Sequence, residues 1–181
     1  SILGAVAEIE RDNILAQTLA GRKEKARQGL FNGGVTPYGY KLDKETGKLV
    51  VVEEEAKIVR IIFEKYNTTS MGFAGIAKWL KEQGYEKGAR TKNGYCFFTE
   101  VNIRHIVDNP VYTGMLVYGR TVTKAKDDNP EAMHRVKSDD YIMTEVKDMK
   151  IIEKETFETA KRKREETGGR KLKIMSIYCQ V

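Results

Sequence analysis

The 181-residue sequence predicts an α+β chain. A long N-terminal helix leads into a compact, mainly helical domain with a helix-turn-helix-like pair and small β-hairpins. Three observations carry this reading. Residues 2–28 contain no proline, and only Gly4 and Gly21 weaken them, so one helix runs through. Several later segments repeat apolar residues at the helical period. Short runs rich in Tyr, Val and Leu lie between turn-forming Gly, Asp and Asn, the pattern of short strands.

At about 1.5 Å per residue, the first helix is a rod roughly 40 Å long. Ile2, Val6 and Ile9 make an apolar stripe, followed by Ile14, Leu15 and Leu19, and then the helix turns basic. A solitary helix of this kind is marginal in water and needs a surface, supplied by its own preceding domain or by a dimer partner. Gly29 and Gly33-Gly34 close it. Tyr40-Lys41-Leu42, a turn at 43–47 and Lys48 to Val52 form a hairpin. Glu53-Glu54-Glu55 open the next helix, 53–67, where carboxylates favour the positive helix terminus over a metal. Ala56, Val59, Ile62, Phe63 and Tyr66 face inward from it.

Ser70 is the expected N-cap of helix 73–83, with Ile76, Ala77 and Leu80 inward and Trp79 at the core edge. A basic loop, 84–98, precedes Thr99, which caps helix 100–108 with Val101, Ile103, Ile106 and Val107 as its apolar series. Asn109-Pro110 stops that helix. Strands at 112–118 and 141–146 flank a polar insertion, 123–140, expected to be mobile. A last helix, 154–166, ends at Gly168-Gly169. The expected division is a connecting helix over 1–29, a compact domain over 30–166 and a basic linker over 167–181.

Composition narrows the function classes. Hydrophobic residues at 40% exclude a disordered chain, and charged residues at 32% exclude a membrane protein. No apolar run approaches the roughly 20 residues of a membrane-spanning helix. The first residues lack a secretory pattern, and the absence of an initiating Met suggests a piece of something longer. Cys96 and Cys179 form no paired framework, so a reducing cytoplasm is the expected home.

The net charge of +6 is concentrated at two joints. Arg22, Lys23, Lys25 and Arg27 oppose only Glu24. Lys161, Arg162, Lys163, Arg164, Arg170, Lys171 and Lys173 oppose only Glu165 and Glu166. Together these runs exceed the surplus of the whole chain, which points to a polyanionic partner.

No credible active site is visible. His105 and His134 are too few and too scattered for metal ligation or proton transfer. Gly33-Gly34 lacks the Lys-Ser/Thr of a phosphate loop. Ser1, Ser70, Ser138 and Ser176 have no His or Asp companions at recognisable spacing, and Asp127-Asp128 and Asp139-Asp140 are most simply solvated. The helix pair 73–83 and 99–108, with a longer turn than usual, has a helix-turn-helix outline. Asn102, Arg104 and His105 would be exposed on its second helix, beside Arg90, Lys92 and Asn93 of the preceding loop. Amide and guanidinium groups suit base edges, whereas Lys mainly meets phosphate. Periodicity alone equally allows an ordinary helical core with polar outer faces. A non-catalytic DNA-binding regulator with a dimerising helix and a protein–protein module both stay open at this point.

Several motifs in order resemble the large serine recombinases (serine integrases and transposon resolvases). Ala7-Glu8-Ile9-Glu10-Arg11-Asp12 with Thr18 and Gly21-Arg22 is similar to the helix leaving their catalytic domain. Thr36-Pro37-Tyr38-Gly39-Tyr40 resembles the opening of their recombinase domain. Residues 61–66, Ile76-Ala77-Lys78-Trp79-Leu80, Asn109-Pro110-Val111-Tyr112-Thr113-Gly114 and Ile152-Glu153-Lys154-Glu155-Thr156-Phe157 follow in register.

The resemblance implies a bacterial or phage-encoded protein that cuts and rejoins duplex DNA at attachment sites through a phosphoserine linkage. Its nucleophile would lie in a domain preceding this chain, so the chain alone should be inactive. Arg11, in the Glu-Arg motif, is the one supporting catalytic residue that carries over; Ala16-Gln17 stand where many members have a second Glu-Arg pair. The implied DNA contacts are Arg22, Lys23, Lys25 and Arg27 along phosphates or a minor groove, together with Lys41. Arg90, Lys92, Asn93, Asn102, Arg104 and His105 would meet the major groove, and Arg170 and Lys171 the backbone beyond. The resemblance also implies dimers, and tetramers in a synaptic complex. It places zinc only in a downstream ribbon near Cys179, and so implies no cofactor or metal here.

Overall fold

The computed structural model of the chain describes residues 2–88, 96–125 and 132–178. Helix α1 (Ile2–Arg27) is followed by strands β1 (Tyr40–Leu42) and β2 (Leu49–Val51), which pair as an antiparallel hairpin. Helices α2 (Glu53–Thr68), α3 (Phe73–Glu82) and α4 (Glu100–Asp108) come next. A 3-10 turn at Pro110–Thr113 leads to β3 (Met115–Tyr118), β4 (Thr121–Ala125), β5 (Met133–Lys137) and β6 (Ile142–Glu145). A second 3-10 turn, Lys147–Met149, precedes helix α5 (Lys154–Tyr178). This is the mixed α+β architecture that the sequence predicts.

The apolar face of α2 buries Ala56, Val59, Ile62, Phe63 and Tyr66, and α3 adds Ile76, Ala77 and Leu80. Ile103, Ile106 and Val107 of α4, Ala160 of α5, and Tyr40 and Leu49 of the hairpin complete one core. Trp79 lies at its edge, with the Lys65 ammonium 4.6 Å above its ring. The Tyr40 hydroxyl, nearly inaccessible at 1% exposure, donates towards the carbonyls of Met149 at 2.7 Å and Val111 at 3.0 Å. That contact staples the first hairpin to both 3-10 turns. Two carboxylates of α2 are structural: Glu53 binds Arg60 at 2.6 Å, and Glu55 accepts the Gly39 N–H at 2.7 Å.

The fold departs from expectation in four places. Ser70 does not cap α3; Gly72 occupies the N-cap, with no side-chain cap. Thr69 organises that corner instead, donating to Lys65 O and accepting from Met71 N. Residues 112–113 belong to a 3-10 turn, because Pro110 favours a helical first turn and Gly114, at φ +86°, ends it. The insertion at 123–140 is not merely a loop: its described residues include the end of β4 and all of β5, which pair as an antiparallel ribbon, while 126–131 lie outside the described residues. Finally, α5 does not stop at Gly168-Gly169 but continues to Tyr178. Each glycine costs a helix about 1 kcal/mol, which the good helix formers Arg170, Lys171, Leu172 and Lys173 offset in part.

Candidate nucleic-acid interface

Helix α1 ends in a Schellman cap, in which Gly29 N–H donates to Ala26 O and Leu30 N–H to Lys25 O. Gly29 takes the required left-handed conformation at φ +71°. The same turn is tied to the β3–β6 pair, because the Thr144 hydroxyl donates to Ala26 O at 2.7 Å. Lys23 makes a second tie, with its ammonium 2.7 Å from Asp140. That hydrogen bond holds the Asp140 carboxyl below its ordinary range, helped by the charges of Lys23 and Arg27. Asn32 donates to Arg22 O at 3.0 Å, folding the chain back along the helix end.

The candidate cations of α1 therefore divide. Lys23 is committed to Asp140, and Arg27 is drawn towards Glu24 at 3.5 Å. Arg22 and Lys25 are exposed, with no ion pair among the described residues. Arg11 is exposed in the first half of the helix, about 16 Å from Arg22 at about 1.5 Å per residue. It is not brought to this cluster.

Helix α4 is held by a capping box. The Thr99 hydroxyl accepts the Asn102 N–H, and Asn102 Oδ1 accepts the Thr99 N–H at 3.1 Å. Lys87 donates to the same oxygen at 3.2 Å. The Asn102 oxygen is thereby occupied locally, a role that the sequence reading, which placed it against a base, did not foresee. Arg104 and His105 are exposed, as expected, whereas Asn102 is half-buried and not the exposed side chain that the sequence predicts. His105 and Asn102 line one side of a groove of about 540 Å³, walled by Tyr38, Phe98 and Pro110 and closed by Arg120.

Lys41 is exposed on β1 and stands apart from α4. The backbone of α5 carries Arg170 and Lys171, whose side chains lie outside the described set. Arg90, Lys92, Asn93 and Cys179 also fall outside it. Two cations of the second basic run prove structural. Lys163 donates to Tyr66 O and, at 2.6 Å, to Thr69 O at the C-terminus of α2, and Arg164 grips Asp108 of α4. What the sequence reading missed is the β4–β5 ribbon with Arg120, Lys124, Arg135 and Lys137. The faint alternation in Thr121-Val122-Thr123-Lys124 was its one local signal.

Residues 53–167, more than half of the chain, match the Recombinase family. The chain belongs to that family. A Bacillus subtilis (strain 168) protein that bears the name of a candidate DNA recombinase is 33% identical over 111 residues, 61% of this chain and 22% of the relative. The crystal structure of a large serine recombinase–DNA complex matches 84% of this chain and 40% of its own at a TM-score of 0.60 and 19% identity. A structure from work on the Listeria innocua prophage attP site matches 81% and 50% at a TM-score of 0.51 and 20% identity. At these identities the likeness is one of fold. This Recombinase-family chain spans about a fifth of its curated relative and at most half of these solved chains. No described helix is long and apolar enough to cross a membrane.

Proposed function

We propose that this chain is the DNA-binding part of a site-specific serine recombinase: it recognises attachment-site duplex DNA and positions a separate catalytic domain for strand cleavage. The observation that carries the reading is the convergence of two elements on the β3–β6 pair. The basic end of α1 is tied there through Lys23–Asp140 and Thr144–Ala26, and the exposed face of α4 adjoins Arg120 just beyond β3. Membership of the Recombinase family and a fold shared with a large serine recombinase–DNA complex support it.

In this reading Arg22 and Lys25 lie along phosphates near the helix exit, where cations position without reading sequence. Arg104 and His105 face the major groove, and guanidinium forks there discriminate guanine. The side chains of Val6, Ile9, Ile14, Leu15 and Leu19 are about half exposed or more along α1. They give α1 an apolar surface for a second copy or for the catalytic domain, towards which Arg11 would turn as a supporting group. The reading requires no cofactor on this chain and suits a cytoplasmic protein.

Electrophoretic mobility shifts test it with two duplexes, one enriched by the chain from a random pool and one of mixed sequence. Arg104→Ala should weaken binding to the enriched duplex by about 1–3 kcal/mol and leave the mixed one unchanged. Lys25→Ala should weaken both alike and lower the salt slope by about 1. If neither substitution alters affinity for either duplex, the reading fails.

A further inference from the structure

The β4–β5 ribbon stands outside the core. Strands β4 and β5 pair with each other as a two-stranded sheet, Thr121 opposite Lys137 and Thr123 opposite Arg135. Two-stranded ribbons are marginal in water unless something lies against them. The ribbon leaves the β3–β6 pair through an uneven junction. Between the Tyr118–Ile142 and Thr121–Lys137 pairs, Gly119-Arg120 on one strand opposes residues 138–141 on the other. Ser138 N–H donates to Arg120 O across that junction, and Gly119 turns at φ +83°. Such a bulge re-aims the strands beyond it.

Side chains alternate across a ribbon, so Thr121, Thr123, Arg135 and Lys137 share one face, and all are exposed. Arg135 and Lys137 sit about 6–7 Å apart along their strand, two residues at about 3.3 Å each. Residues 120–125 and 132–138 also hold Arg120 and Lys124, and they contain no carboxylate. None of the four cations has an ion pair among the described residues. Like charges so close, with no carboxylate paired to them among the described residues, favour an anionic surface beside the ribbon.

Placement selects that surface. Arg120, at the root of the ribbon, lines the same groove as Asn102 and His105 of α4. Asp140, in the junction, is the residue that Lys23 of α1 holds. A duplex lying on α4 and the end of α1 therefore passes the ribbon.

We propose that the β4–β5 ribbon is a further DNA contact, an arm whose Thr121, Thr123, Arg135 and Lys137 face rests on the phosphodiester backbone. This rests on the DNA-binding reading above. The face offers hydroxyl and cationic donors and no Asn or Gln, so it holds the duplex without reading sequence.

The test uses the 181-residue chain. Fluorescence anisotropy follows its binding to the enriched and the mixed-sequence duplex across a KCl series, for the parent chain and for R135A/K137A. Both residues are exposed and have no ion pair among the described residues; circular dichroism checks the variant's fold, and R135Q/K137Q replaces it if helicity is lost. The expected result is a log–log salt slope reduced by about 2, at about 0.9 per phosphate contact released. Affinity should fall by the same factor on both duplexes, and hydroxyl-radical footprints should lose one protected backbone patch.

An unchanged slope in the variant, with salt-sensitive binding intact in the parent, overturns the ribbon proposal alone. Loss confined to the enriched duplex also overturns it, because that signature belongs to base reading. No salt-sensitive binding by the parent chain overturns the DNA-binding reading and the ribbon with it.

Discussion

Tyr40 shows how one hydroxyl joins distant parts of the chain. Its acceptors, Val111 O and Met149 O, lie 71 and 109 residues away. Burial raises its phenol far above the ordinary range. Ionisation therefore occurs first in the unfolded chain, which then binds fewer protons than the folded one, so stability falls as pH climbs past the normal phenol range. Tyr40→Phe should cost about 1–2 kcal/mol near neutrality, because the carbonyls lose a buried donor. It should also flatten the alkaline limb of the stability–pH curve. Urea melts at stepped pH measure both effects, and an unchanged alkaline limb would contradict them. The sequence places Tyr40 on a strand, but no local pattern names its acceptors. Asn102 is similar: its i, i+3 relation to Thr99 is readable in retrospect, yet an amide beside Arg104 and His105 invites a base-contact reading first.

Element by element, what was legible followed local chemistry. The 3.6 period located α2, α3 and α4, and Thr99 announced the start of α4 because its hydroxyl satisfies a free helix N–H. Thr99→Ala should cost about 1 kcal/mol and speed amide exchange in the first turn of α4, while α2 stays protected. Gly29 was legible for the same reason. Its φ is +71°, and an added Cβ would meet Val146 Cγ2 at 2.8 Å. Gly29→Ala should therefore cost about 1 kcal/mol or more and disturb the α1 exit, seen as shifted amide resonances at both Ala26 and Thr144.

The ribbon was hidden because one of its faces is exposed and the other is buried only in part. With Thr, Lys and Arg alternating around only Val122 and Val136, period-2 hydrophobicity is almost silent. The end of α5 was missed for the opposite reason: the Gly168-Gly169 stop signal is strong, yet the helix runs through it to Tyr178. The candidate site was legible in its residues more than in its geometry. Arg104 and His105 are exposed as read, whereas Lys23, Lys163 and Arg164 spend their charge on contacts that only the fold brings together.

At the scale of the molecule, the direction in which α1 leaves the domain decides where a domain attached through it would sit. Two side-chain ties set that direction beyond the helix cap, Lys23–Asp140 and Thr144–Ala26 O. Both partners of the first are exposed, so its worth lies in orientation more than in stability. The Asp140 carboxyl is held below its usual range, chiefly by the Lys23 hydrogen bond. A group with a depressed folded pKa contributes above its unfolded pKa and loses that contribution as pH falls through the folded value. The Lys23 tie should therefore persist through the ordinary carboxylate range and release only below it. Spin labels on exposed α1 and α3 positions report this as a distance distribution, narrow at neutral pH and broadening in acid. In K23A the Asp140 carboxyl should return towards its ordinary pKa by NMR. In K23A/T144V the distance distribution should be broad already at neutral pH, with domain stability lowered by only about 1 kcal/mol, the usual worth of one hydrogen bond. An equally narrow distribution in the double variant would mean that the cap at Gly29 alone aims the helix, and that the charge placed at this joint is free to meet a partner.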